Sequence, residues 1–229
     1  MTSFPLLGLL VGPAAPLGPR GVPSGIAKSQ VAGSLVLSET GLSGDVQGDP
    51  TRHGGTEKAL HHYPFDHYSA WSDDLGPHPL LASPGAFGEN IATSGLTEET
   101  VAIGDVFEIG TAVVEVSQGR QPCWKLNERF GRSTMASDVQ STGRTGWYYR
   151  VLRPGTVAAG DRLTLVDRAS PDWTIERIWR AFYVDTLNRA ELSGIARLER
   201  LAAGWQDHAT RRLKTNSVED WTKRLMGGI

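Results

Sequence analysis

The sequence predicts a mainly β fold, a β-barrel with one inserted helix, followed by a small domain of three helices. Two observations carry that reading. Through the first 168 residues or so, short apolar alternations are separated by Gly-rich turns, as strands joined by tight reversals are. From residue 169 onward, apolar residues recur instead at helical spacing. At 229 residues the chain is long enough for such a barrel (1–168) and a helical domain (169–229), with a core that needs no disulfide.

Strands are expected at residues 6–11 and 26–31, and then at 106–109 and 112–117, where Gly110-Thr111 reads as a hairpin turn. Two more are expected at 147–152 and 163–166, with Pro154-Gly155 and Gly160-Asp161 marking reversals between them. A barrel or sandwich arranges these economically. Residues 64–75 break the pattern: Pro suits a first helical turn, and Phe65, Tyr68, Trp71 and Leu75 follow at helical spacing. In the last part, Ile175, Ile178, Trp179 and Phe182 form one helical face, with Thr174 a reasonable cap. Leu192, Ile195 and Leu198 form a second face, and Trp205, Ala209 and Leu213 a third. Trp221 and Leu225 suit a fourth short helix or an arm that packs back.

Charge and hydropathy narrow the function classes. A net charge of -2, from 23 Lys and Arg against 25 Asp and Glu, gives no electrostatic case for nucleic acid or an anionic membrane. From Asp167 onward the chain carries 11 basic and 9 acidic residues, without the basic stripe that a helix-turn-helix using Arg211, Arg212 and Lys214 would need. No run approaches the roughly 18 to 20 apolar residues of a membrane span. Residues 6–11 are apolar, but no Lys or Arg precedes them as in a signal peptide, so a cytoplasmic location is expected.

Cys123 is the single cysteine, so it can form neither an intramolecular disulfide nor a C-x-x-C pair. An inert buried residue, a nucleophile or a metal ligand remains. Its loop, Ser117-Gln118-Gly119-Arg120-Gln121-Pro122-Cys123, lies between a strand-like and a helix-like run. Pro122 restricts the backbone, and Arg120 and Lys125 bring positive charge that favours a thiolate. Zinc would need three or four protein ligands, whereas a soft metal held mainly through a cofactor can use one thiolate. His53-Gly54-Gly55 sets a side chain that titrates near neutrality beside permissive backbone, a loop that can bind an oxyanion. His61 and His62, in the same segment, can take part in such a site or be ordinary residues at a helix entry. Asn90 can offer amide contacts to a heterocycle, or serve as a turn residue. Neither a Walker loop nor G-x-G-x-x-G occurs in a suitable context, which argues against nucleotide hydrolysis.

Taken in order, His53-Gly54-Gly55 with Ala59-Leu60 and His62-Tyr63, Phe87-Gly88-Glu89-Asn90, and Ser117-Gln118 with Arg120, Pro122 and Cys123 resemble the MOSC domain. Within that family the chain is most similar to the YiiM type, which adds a small helical domain. The resemblance implies a β-barrel carrying the molybdenum cofactor, a pterin with one dithiolene and a phosphate, with Cys123 as the ligand to molybdenum. It implies reduction of small N-hydroxylated compounds such as hydroxylaminopurine-type base analogues, hydroxylamines and amidoximes, a detoxifying activity supplied with electrons by a separate reductase. Under that reading His53 is the candidate acid. Lys28 fixes substrate or pterin phosphate, or holds His53 and Cys123 in position, and Gly54, Gly55, Asn90 and Arg120 help hold the cofactor. Gly119 departs from the family, where a second proline is more usual, and this puts the rigidity of the loop in question. The rival reading is a sulfur or cofactor carrier with a persulfide on Cys123, and a third is a binding module without catalysis. The barrel is expected to hold its own core, so that truncation after about Arg168 spares cofactor binding.

Overall fold

Apolar alternation places the half-buried strands close to where they form, and the buried ones emerge only in three dimensions. The computed structural model describes residues 2–49 and 54–227. Its strands are β1 (Ser3–Pro5), β2 (Gly8–Val11), β3 (Ala15–Leu17), β4 (Val22–Ser24), β5 (Ser29–Gln30), β6 (Ser34–Ser38) and β7 (Gly41–Leu42). They continue with β8 (Leu60–Pro64), β9 (Ile91–Thr93), β10 (Asp105–Ile109), β11 (Ala112–Gly119), β12 (Trp147–Arg153), β13 (Gly155–Ala158) and β14 (Arg162–Arg168). Nine make one sheet in the order β1-β14-β10-β11-β12-β8-β9-β2-β5, while β13-β6-β7 and β3-β4 form two smaller sheets.

The fold is thus a mixed α/β one, and the expected closed barrel is not found among the described residues. Among the described residues no ladder joins the two ends of the nine-stranded sheet. One piece of chain spans the gap instead: β1 pairs with β14, Phe4 opposite Leu163, and β2 pairs with β9, Leu9 opposite Ile91. Between them, the Leu6 N–H reaches the Asp161 carbonyl at 2.9 Å and the Leu7 N–H reaches that of Ala92 at 2.8 Å.

The inserted helix is the crossover of a parallel pair. β8 and β9 run parallel, with His62 opposite Ile91, and parallel neighbours require a connection that returns over the sheet. Helix α1 (His67–Leu75) provides it, burying Tyr68 and Trp71 against Phe87, Leu126, Phe130 and Met135. It starts later than residue 64 because Pro64 closes β8. His61 and His62, expected at a helix entry, lie inside β8, where all five residues are buried. A strand with neighbours on both edges and both faces covered does not alternate, so its period is lost.

Two helices follow the cysteine loop, α2 (Lys125–Phe130) and α3 (Met135–Thr142), and α3 was not anticipated. The last part holds α4 (Ile175–Tyr183), α5 (Arg189–Ile195), α6 (Ala203–Thr215) and a short α7 (Thr222–Met226). Thr174 caps α4 as expected, its side chain accepting the Arg177 N–H at 3.2 Å. These helices share their core with the sheet. Ile175, Ile178, Phe182 and Trp205 pack in the same apolar cluster as Val114, Val116, Tyr149 and Leu163. Backbone bonds also cross between the parts at 2.9 Å, from Ile103 to Trp173, from Ile175 to Val101 and from Ala202 to Ser117. The helices and the sheet thus contribute to one apolar cluster, and cofactor binding by residues 1–168 alone stays an expectation.

Candidate functional site

Cys123 sits where β11 ends and α2 begins. The strand holds its partner β12 through Gly119 opposite Trp147, and the Arg120 N–H then reaches the Gly146 carbonyl at 3.0 Å. Beyond it, the Cys123 carbonyl accepts the Leu126 N–H at 3.0 Å. The half-buried Cys123 lines a cleft together with Lys28, Asp45, Lys58, His61, Asn90, Arg120, Lys125 and Tyr148. Two glycines let its walls meet: a Cβ on Gly25 would stand 2.0 Å from the Val46 carbonyl oxygen, and one on Gly48 would stand 2.2 Å from that of Pro23.

The Phe87-Gly88-Glu89-Asn90 segment is knotted around a buried carboxylate. Glu89 is fully buried and accepts the N–H of Gly85 at 2.6 Å, the N–H of Phe87 at 3.0 Å and the Tyr68 hydroxyl. From the other side, Arg129 donates to the carbonyls of Ala86 at 2.8 Å and Gly85 at 2.7 Å. Asn90 comes next, and its amide is engaged by the protein. Oδ1 accepts the His61 N–H at 3.0 Å, while Nδ2 donates to the Leu10 carbonyl at 3.2 Å and to Asp45 Oδ2 at 2.9 Å. Asn90 therefore ties β8, β2 and the Asp45 loop into one wall; both of its amide hydrogens are occupied within the chain.

Lys28 precedes β5 and its side chain is only 7% exposed, paired with Asp45 at 2%. Asp45 also accepts the Gly12 N–H at 3.1 Å. Burial pushes the Lys28 ammonium below the usual lysine range, opposed by the charges of Asp45 and Glu89. Arg120 is buried, donating from Nη2 to the Phe87 carbonyl at 3.3 Å, while its Nη1 has no hydrogen-bond partner among the described residues. Nε2 of His61 is orphaned in the same way. Burial, and then the Arg120 charge, hold the His61 imidazole neutral by pushing it well below the usual range. Lys58 is lowered by burial, opposed by Asp49 and the Cys123 sulfur. Burial raises the Tyr148 phenol, with Arg120 beside it opposing. Among the described residues, four cations (Lys28, Lys58, Arg120, Lys125) thus line the cleft against one carboxylate, that of Asp45.

Of the residues singled out in the sequence, Lys28, Asn90, Arg120 and Cys123 meet in this cleft. His53 lies outside the described residues. Gly55 takes φ +92°, in line with a permissive loop, and lines a depression that adjoins the cleft at Asp45 and Gln47; Gly54 precedes it, and neither lines the cleft itself. His62 is fully buried between the Tyr149 hydroxyl at 2.9 Å and Thr93 Oγ1 at 3.0 Å, and burial lowers it to about 3. Asp45 was missed altogether. Gly44-Asp45 reads locally as a surface turn, and only Lys28, 17 residues earlier, discloses its role. Among the described residues no cluster of three or more His, Cys, Asp and Glu could hold a metal by itself, and no helix is long and apolar enough to cross a membrane.

The MOSC domain model matches residues 49–164, and the YiiM-like 3-alpha helix domain matches residues 173–216. The chain is 41% identical over 213 residues to Protein YiiM of Escherichia coli (strain K12), covering 91% of this chain and 93% of that one. A protein named Reductase from Gibberella moniliformis is 41% identical over 160 residues, which make up 69% of this chain but 28% of the fungal protein. The crystal structure of YiiM from Escherichia coli superposes with a TM-score of 0.84 at 34% identity, covering 99% of this chain and 100% of that one. The chain therefore belongs to the MOSC family, in the YiiM-like form that carries a three-helix domain behind the MOSC domain.

Proposed function

We propose that this protein is a molybdenum-cofactor-dependent reductase of N-hydroxylated compounds, namely hydroxylaminopurine-type base analogues, hydroxylamines and amidoximes, acting in detoxification in the cytoplasm. The observation that carries the reading is a single thiol in the wall of a cleft that holds four cations among the described residues, in which Arg120 Nη1 has no hydrogen-bond partner among those residues. A buried guanidinium N–H left without an acceptor is costly unless a ligand supplies one. An anionic pterin phosphate beside a thiolate-bound metal is chemistry of that kind, so the residues fit the group. The name of the fungal relative supports the reductive direction.

Cys123 would hold the metal through Sγ, and Lys58, Arg120 and Lys125 would face the negative charge of the cofactor. Lys28, fixed by Asp45, would present its ammonium to substrate or phosphate from the opposite wall. When bound, the cofactor supplies a two-electron donor, so that R–NH–OH, two electrons and two protons give R–NH2 and water. Those protons require an acid at the cleft. His53 is proposed for that role, and the raised phenol of Tyr148 stays protonated at neutral pH as a further hydrogen-bond donor. The electrons would come from a separate reductase.

The test is expression in a host that makes the cofactor, followed by molybdenum analysis and reduction of an amidoxime by a reduced viologen dye. The wild type should retain molybdenum and turn over, and Cys123→Ala should do neither. Metal-free wild-type protein, or undiminished turnover in Cys123→Ala, would sink the proposal. A persulfide on Cys123 in metal-free protein would establish the sulfur carrier instead.

A further inference from the structure

The segment that follows the YiiM-like three-helix match returns across the molecule to the cysteine loop. Residue 224 grips both neighbours of Cys123. Its guanidinium Nη1 donates to the Pro122 carbonyl at 2.6 Å, and its own carbonyl accepts the Trp124 N–H at 2.8 Å. Nη2 of Arg224 reaches Gln140 Oε1 at 2.6 Å, which fixes the guanidinium against α3. One residue later, the Leu225 carbonyl accepts Nδ2 of Asn127 at 2.8 Å. On the other side of the loop, Gln121 Nε2 donates to the Tyr183 hydroxyl at 3.1 Å, and the Arg224 guanidinium lies 5.8 Å from the Tyr183 ring centre. The arm is itself anchored upstream, where Glu219 pairs with the buried Arg212 at 2.7 Å.

We propose that this C-terminal arm is a clamp on the cysteine loop and that Arg224 is the positioning residue that sets the place of Cys123 in the cleft. The proposal rests on the reading of Cys123 as the metal-anchoring thiol. Charge-assisted bonds such as that from Arg224 to Pro122 are about twice as strong as neutral ones. Pro122 stiffens the backbone beside Cys123, and these contacts fix where the stiffened loop sits against α3 and the arm. Lysine at 224 could reach one acceptor but could not bridge Pro122 and Gln140 with a planar fork.

The test compares the full-length wild type with Arg224→Met, Arg224→Lys and Gln140→Ala. Hydrogen exchange of the cofactor-free proteins is read at the backbone amides of residues 123–127, and molybdenum retained after gel filtration is read on the loaded ones. Arg224→Met should speed exchange in the loop by about tenfold while the β10–β12 amides keep their protection, and should lower retained molybdenum by roughly fivefold or more. Arg224→Lys and Gln140→Ala should fall between it and the wild type. Wild-type exchange in the Arg224→Met loop would overturn the clamp, as would faster exchange with undiminished metal. If Arg224→Met loses protection everywhere, Gln140→Ala decides: a local rise supports the clamp, and wild-type behaviour overturns it. Wild-type protein that takes up no molybdenum would defeat the functional reading, whereas loop exchange alone would still decide whether the arm clamps.

Discussion

Replacing Asp45 by Asn tests whether the wall of the cleft rests on a buried ion pair. The two side chains, Lys28 at 7% and Asp45 at 2% exposure, are out of water, and Asp45 receives donors at both oxygens. Lys28 and the Gly12 N–H converge on Oδ1, and Asn90 Nδ2 on Oδ2. An amide there turns one acceptor into a donor, so in either orientation an NH2 group confronts another donor. Removing one partner of a buried pair costs about 3–5 kcal/mol, because the remaining charge stays buried. For a chain of this size roughly 2–4 °C accompany each kcal/mol, so the melting temperature should fall by about 6–20 °C. Calorimetry and urea unfolding at pH 7 measure the loss. Lys28→Met in the same background should recover part of it, since the orphaned ammonium is then gone, giving a coupling of about 1–3 kcal/mol in the double-mutant cycle. A shift below about 2 °C for Asp45→Asn, or a coupling under about 0.5 kcal/mol, would refute the reasoning.

Arg120→Met removes the orphaned Nη1 from the cleft and should lower cofactor retention by about tenfold or more, measured as pterin and molybdenum per chain; full retention would mean that the guanidinium faces no ligand. Acid should act through His62, whose burial lowers it from 6.5 to about 3. The unfolded chain takes up that proton below 6.5 and the folded one does not until about 3, so stability falls as pH drops through the window, by up to about 4–5 kcal/mol. Urea midpoints from pH 7 to 4 should therefore decline less steeply in His62→Gln than in the wild type, and parallel slopes would contradict the assignment. Residues 1–168 alone should lack a cooperative unfolding transition, because Ile175, Ile178, Phe182 and Trp205 leave with the helices that cover Val114 and Val116; a sharp calorimetric transition in that fragment would show a self-sufficient sheet.

Local chemistry was legible wherever its meaning was local. β12, whose burial alternates at its start, and the α4 face, by its spacing, show the periods of elements with one side in water, whereas β10 and β11 are buried along nearly their whole length and are marked by their apolar runs on either side of the Gly110-Thr111 turn. β8 could not be found that way: it is covered on both faces and carries His61 and His62, which read as polar until the strands around them are known. Lys28, Asn90, Arg120 and Cys123 were named from their motifs and do converge, yet the bonds they make were not written in those motifs. Asn90, open between ligand amide and turn residue, ties strands together, and Asp45, which no motif marks, is the partner of a buried lysine. The cysteine loop carries this furthest. Gly119 raises the question of what keeps Cys123 in place, and the residue that grips Pro122 is Arg224, 102 positions away. The stiffening Pro122 is visible beside the cysteine, whereas a clamp is a property of two distant segments and of the α3 glutamine that aligns the guanidinium between them. Substituting proline for Gly119 should consequently do little to restore loop order in an Arg224→Met protein, since the lost constraint is a hydrogen bond on the Pro122 carbonyl and not a backbone dihedral at residue 119.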